Sequence, residues 1–334
     1  MMKTKLISYL CGLIVLFFVP VLFPNDYFIH ILVVGGINIL LVLSLNIIAG
    51  FTGQISLGHA AFYGIGAYAS AILSMKGTPV YLSILCGALI AGLIGFLIGY
   101  PFLRLRGHFF GIGTLGFGVI VYLVLNNWTE LTNGPMGLSG IPAPEAIGAI
   151  DFTSKAHYYY LGLILILLIV YISNRMKSTK MGRALLAIRT DEITASAMGI
   201  NVAYYKVLAF IWSAAIAGLA GALYGCFIQF LSPETFNLSM SINILLMLLI
   251  GGIGSVLGSV LGGLFITLLT EYLRPFAEYQ MLIYSILIII IVTFAPKGLN
   301  GLIVKTKGIF TSKLKGVAVE VEGGNANEPV HPTN

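Results

Sequence analysis

Three polar side chains, Gln54, Ser56 and His59, stand in a glycine-rich stretch that is otherwise apolar, and two asparagines, Asn38 and Asn243, interrupt long Leu/Ile runs. Inside a membrane such groups are costly unless they pair or line a wet cavity. They are the candidates for contact with a polar solute crossing the protein. A helix–helix hydrogen bond is the competing use, and for His59 the two uses stand level. Every Asp and Glu is expected in a loop or in the tail, and no His/Asp/Glu cluster has catalytic spacing within the apolar runs. A membrane enzyme is therefore disfavoured, and so is an ion-coupled secondary amino acid transporter, which needs a buried carboxylate or cation site. No G-x-x-x-x-G-K-[ST] loop occurs, so the chain carries no cofactor of its own and does not hold ATP in that way. Residues 111–116 fit G-x-G-x-x-G but open an apolar run with no preceding strand, which removes the dinucleotide reading. Cys11, Cys86 and Cys226 each sit inside an apolar run, without metal-ligand or disulfide spacing.

The elements that position these residues follow from composition. At 58% hydrophobic and 9% charged residues, with mean hydropathy +0.99, the chain is no soluble domain. It is an all-α, polytopic helical membrane protein. The net charge of +6 is no nucleic-acid signal, because the basic residues fall in particular loops. Apolar runs at 6–23, 30–48, 55–75, 80–100, 109–126, 158–172, 207–230, 242–273 and 281–295 define the spans. The run 242–273 is too long for one helix and is interrupted by glycines at 251–254. Counted as two passes, it gives about ten spans, including glycine-broken helices, with both termini cytoplasmic. The outer segments then keep only Lys76, Lys155 and Arg274 of the 18 basic residues. Residues 1–304 form the transmembrane domain; the tail 305–334 is expected to be cytoplasmic and disordered. No cleavable signal is expected, since no small-residue cleavage site follows 6–23.

An internal echo supports a two-part build: INILLVL at 37–43 recurs as INILLML at 242–248, each copy followed by a glycine-broken stretch, at 50–58 and 251–258. Such breaks often line a translocation path. Small residues recur every four positions in Gly87, Ala91, Gly95 and Gly99, in Ala214, Gly218 and Ala222, and in Gly254, Gly258 and Gly262. That spacing lets membrane helices approach closely.

The polar island 175–206 holds Arg175, Lys177, Lys180, Arg183, Arg189 and Lys206, and so belongs on the cytoplasmic side. Within it Met181, Ala184, Leu185 and Ile188 recur as one apolar stripe of a short helix. A second short helix is expected from Asp191, with Thr190 as its cap, Asp191 and Glu192 in its first turn and Gly199 as its stop. The island either lies on the membrane surface or docks another protein.

The stretch GFTGQISLGHAAFYGIGAY at 50–68 resembles the glycine-rich signature of the permease subunits of branched-chain amino acid ABC importers. The resemblance continues through LRLRGHFF at 103–110, LTNGPMG at 131–137, GRALLAIR at 182–189, Lys206 with Ala209 and Phe210, AGLAGAL at 217–223 and PKGL at 296–299. The segment 104–108 makes it more similar to the M-type than to the other permease of the pair. It implies an importer of a second permease subunit, two ABC ATPase subunits and an extracytoplasmic substrate-binding protein in the inner membrane, carrying leucine, isoleucine or valine. ATP hydrolysis then belongs to the partners. Related permeases for urea and short amides share the signature, so these are the alternative substrates. The resemblance also makes 183–199 an ATPase-coupling segment, in which Glu192, Ala195 and Gly199 resemble the family's acidic–alanine–glycine pattern at looser spacing. The apolar stripe, including Leu185 and Ile188, would supply contact area to the ATPase, while Arg189, Asp191 and Glu192, with Arg183 in the same segment, would orient the helix and transmit ATPase closure into the bundle. The outer segments 127–156 and 232–237 would dock the binding protein.

Overall fold

The computed structural model describes residues 25–102, 107–146, 154–294 and 298–301, together with Phe17, Phe18, Pro20, Leu22, Leu105 and Phe152. Most of the expected span 6–23, the first two residues of PKGL at 296–299, part of 103–110 and the tail 305–334 lie outside the described residues. The chain is helical nearly throughout: α1 (Asp26–Leu45, continued by a π-turn Asn46–Gly50), α2 (His59–Met75), α3 (Val80–Phe102), α4 (His108–Asn127), α5 (Lys155–Ser178), α6 (Lys180–Thr190), α7 (Glu192–Ala197), α8 (Val202–Ile228), α9 (Leu238–Gly251), α10 (Val256–Tyr272) and α11 (Gln280–Phe294). Among the described residues five segments are long and apolar enough to cross a membrane: α1 with its π-turn, α3, α4, α5 and α8. The run 242–273 divides where its glycines indicate, with α9 ending at Gly251 and α10 starting at Val256.

Polar residues start the helices by accepting backbone N–H groups that have no partner inside the helix. Asn25, Asn201, Asn237 and Ser255 do this for α1, α8, α9 and α10. The α5–α6 junction is a tight turn in which Thr179 Oγ1 accepts from Gly182 N at 3.2 Å.

The centre of the bundle is α8 lying along α2 and α3, while α1 packs on α10 and α5. The small-residue stripes make this closeness possible. A Cβ added at Gly87 would lie 2.6 Å from the carbonyl of Gly66, and one added at Gly95 2.6 Å from the Ala214 methyl. Away from this seam, α3 exposes Leu82, Leu85, Leu89, Leu93, Phe96 and Leu97, an apolar face fit for lipid. Among the described residues the departure from helix is one short antiparallel pair, Leu138–Ser139 with Phe230–Leu231, in register Leu138↔Leu231. It ties the long segment after α4 to the end of α8. Glu271 is also not in a loop: it lies in the last turn of α10, where its carboxylate accepts from Tyr27 and, at 3.3 Å, from Arg274.

Candidate functional site

At the island end of the bundle, α6 presents its stripe inward. Leu185 is 0% exposed, Ile188 3%, and Ala184 is buried with them. This corrects the expectation that the stripe supplies contact area to a partner: the side chains are used inside the chain. Periodicity identifies an amphipathic helix but not which neighbour it faces. What remains outward is Leu186, Ile193 at 74% and Met198 at 80% exposed, two of them on or just after α7. They fall off the stripe, so spacing did not reveal them.

The second short helix forms, but its cap is Asp191, whose carboxylate accepts from Thr194 N at 2.8 Å; Thr190 instead ends α6 and donates to the Leu186 carbonyl. Gly199, at φ +83°, closes the helix, with Ile200 N donating to the Ala195 carbonyl at 3.1 Å. Backbone hydrogen bonding from Thr194 holds the Asp191 carboxyl below its ordinary value of 3.8. Since the folded value is the depressed one, this support for α7 is intact above 3.8 and is lost as pH falls through the lower folded value. Exchange protection of the Thr194 amide should therefore drop in acid, and Asp191→Asn, which keeps an acceptor but does not titrate, should abolish that dependence.

Glu192 pairs within the chain: its Oε2 lies 2.7 Å from Lys206 Nζ, and Lys206 is 4% exposed. Glu192→Ala strands a buried ammonium and should cost about 2 kcal/mol, less than a fully buried pair because Glu192 is partly in water. Lys206→Met removes the charge together with its burial cost and should be nearly neutral. Unfolding midpoints in detergent separate the two variants. Arg183 Nη1 donates to the Ser178 carbonyl at 2.8 Å, finishing α5.

Arg189, itself exposed, reaches the end of α1. Its guanidinium donates to the carbonyl of Gly50, the last residue of the π-turn. Lys177 Nζ donates to the carbonyl of Gly254 at 2.6 Å, and Asn46 Oδ1 accepts from Gly254 N at 2.8 Å. Neither Lys177 nor Asn46 was expected at a site. A lysine in the last turn of a span reads as a topology marker, and a single asparagine near a helix end carries no signal of its own.

The candidate pathway residues do not converge on one cavity. His59 and Ser56 are buried without exposure. His59 Nε2 lies 2.6 Å from Ser44 Oγ, which itself donates to the Leu41 carbonyl at 2.7 Å, so the ring donates to the serine. Ser56 Oγ accepts from Gly58 N at 3.4 Å within its own turn. Of the two uses open to His59, the helix–helix hydrogen bond is the one made in this structure. Hydroxyls from neighbouring helices extend this polar node. Ser213 Oγ donates to the Ser44 carbonyl at 2.6 Å, Ser241 Oγ accepts from Ala60 N at 3.0 Å, and Thr114 Oγ1 accepts from Leu57 N at 3.0 Å. Asn38 donates to Thr267 Oγ1 at 2.9 Å, joining α1 to α10. Gln54 and Asn243 are half-buried. A separate apolar cavity of about 530 Å³ lies between α1, α5 and α10, lined by Gly36, Leu40, Tyr159, Leu163, Val260 and Leu264 among others.

A family model described as branched-chain amino acid transport system / permease component matches residues 27–292. The chain is 36% identical over 287 residues to the high-affinity branched-chain amino acid transport system permease protein LivM of Escherichia coli (strain K12), covering 79% of this chain and 67% of that protein. It is 35% identical to LivM of Salmonella typhimurium over 287 residues, with the same coverage of 79% and 67%. It is 27% identical to the probable permease LivH of Methanocaldococcus jannaschii over 289 residues, covering 81% of this chain and 90% of that protein. No solved structure matches. The two bacterial LivM proteins stand nearer than this LivH protein, in agreement with the M-type resemblance. The chain is a multi-pass membrane protein and belongs to the family of permease components of branched-chain amino acid transport systems.

Proposed function

We propose that this chain is the M-type membrane subunit of an ATP-driven importer that passes leucine, isoleucine or valine, delivered by an extracytoplasmic binding protein, through a pair of permeases. The observation that carries the reading is the 175–206 segment. It exposes Ile193 and Met198 on one side and grips the end of α1 and the turn between α9 and α10 through Arg189 and Lys177 on the other. Exposed apolar side chains on a short charged element mark a protein or membrane contact; in this reading an ATPase subunit covers them. The distribution of basic residues supports a cytoplasmic position for this end and for both termini, and the importer reading takes the membrane to be the inner one. The opposite end, with Trp128 and Met136 exposed beside the strand pair, receives the binding protein. Gln54, Asn38 and Asn243 are proposed for the solute route; Ser56 and His59 are sealed in this conformation.

Labelled-leucine uptake in cells lacking the chain, and again with it restored, tests this reading. Uptake should vanish and return. Ile193→Asp combined with Met198→Asp should lower it more than about 10-fold while the protein still reaches the membrane, as loss of an interface anchor does. Leucine uptake independent of the chain, with urea or a short amide dependent on it, would overturn the substrate assignment.

A further inference from the structure

Two glycine turns far apart in sequence meet at one point, and a single arginine lies across both. Gly53 and Gly254 each end a G-x-x-G run, and both adopt positive φ, +79° and +86°. A Cβ added at Gly53 would lie 3.3 Å from Arg189 Cγ, and one added at Gly254 would lie 2.6 Å from an Arg189 guanidinium nitrogen. The turns also touch each other, since a Cβ at Gly50 would come within 2.9 Å of Gly254 Cα. Arg189 donates to the carbonyl of the first turn, and Lys177 to that of the second at 2.6 Å. Lys177 Nζ also lies over the Phe51 ring, 5.1 Å from its centroid.

Among the described residues neither cation has a carboxylate within 4.0 Å. Two like charges are thus held together by backbone oxygens, one at the C-terminal end of α1, where helix carbonyls lack internal partners and the dipole is negative, and one in the glycine turn between α9 and α10. Ion-coupled carriers place a mobile cation at such broken helix ends. Here the cations are part of the chain, one at the end of α5 and the other at the end of α6. Displacing the 175–206 segment must pull both turns with it or strip both carbonyls of their donors.

We infer that Lys177 and Arg189 are positioning residues that form a two-pronged latch, joining the two glycine turns in this conformation and passing displacement of the 175–206 segment to both halves of the bundle. The inference rests on the import reading above and adds Lys177 and the turn–turn contact to it.

The test uses the complete transporter in vesicles, with leucine moved per ATP hydrolysed as the readout and co-purification as the assembly control. Lys177→Met removes one prong. Arg189→Gln removes the other, and Gly254 is kept because a side chain at its φ of +86° would strain the turn itself. Each should assemble and hydrolyse ATP but move about 10-fold less leucine per ATP, the size of a typical coupling loss. Lys177→Arg should restore the ratio. A purely structural role would lower the amount of complex and leave the ratio unchanged, so an unaltered ratio in either assembled variant overturns the latch. If Lys177→Met does not assemble, Arg189→Gln decides alone. If the unaltered complex moves no leucine with ATP, the import reading fails instead.

Discussion

Valine at Gly66 is expected to keep the helix bundle from closing. A side chain there would run into the backbone of Gly218, and one turn further on Gly221 backs onto the Tyr63 carbonyl in the same way. The obstacle is backbone, so no rotamer change relieves it. Overpacking of a core commonly costs about 1–3 kcal/mol, and with backbone on both sides the loss should reach about 3 kcal/mol or more. That is a large share of the total stability of a folded domain. The yield of monodisperse protein and its unfolding midpoint in detergent would show it, with Gly116→Ala as a control because nothing lies within 4 Å of that position. A Gly66→Val protein as stable as the unaltered one would contradict the packing of α2 against α8.

The second large effect is at His59. His59→Ala removes a ring with 0% exposure that joins α2 to α1 through Ser44 and meets Phe62 at a centroid distance of 6.2 Å. Ser44 keeps its bond to the Leu41 carbonyl, so the loss is mainly a cavity and a helix tie, about 2–4 kcal/mol. Transport should fall in proportion to folded protein, with the KM for leucine unchanged. A raised KM at unchanged stability would return His59 to the solute route.

The residues explain which features were legible in the sequence. The division at 251–254 was visible because glycines there leave the chain free to adopt positive φ, as Gly252 and Gly254 do. The small-residue spacing in α3 and α8 was visible as packing, since Gly95 and Ala214 have no other use at such separation. The direction of the α6 stripe was not visible, because a bundle and a docked partner demand the same periodicity. Thr190 and Asp191 are both capping types, and only the fold shows that Asp191 accepts from Thr194. The polar node around Ser44, Ser213 and Ser241 was hidden because single serines in apolar runs can satisfy themselves on their own helix. The Glu192–Lys206 pair spans 14 positions and closes only because α7 folds back against α8.

The most direct test of the account is leucine uptake by vesicles holding the purified permease pair with its ATPases, with binding protein outside and ATP inside. Accumulation should require all three, stop when ATP is replaced by a non-hydrolysable analogue, and ignore imposed proton or sodium gradients. Accumulation without ATP that follows an ion gradient would contradict it, because the cations at the glycine turns would then have failed to stand in for a mobile ion.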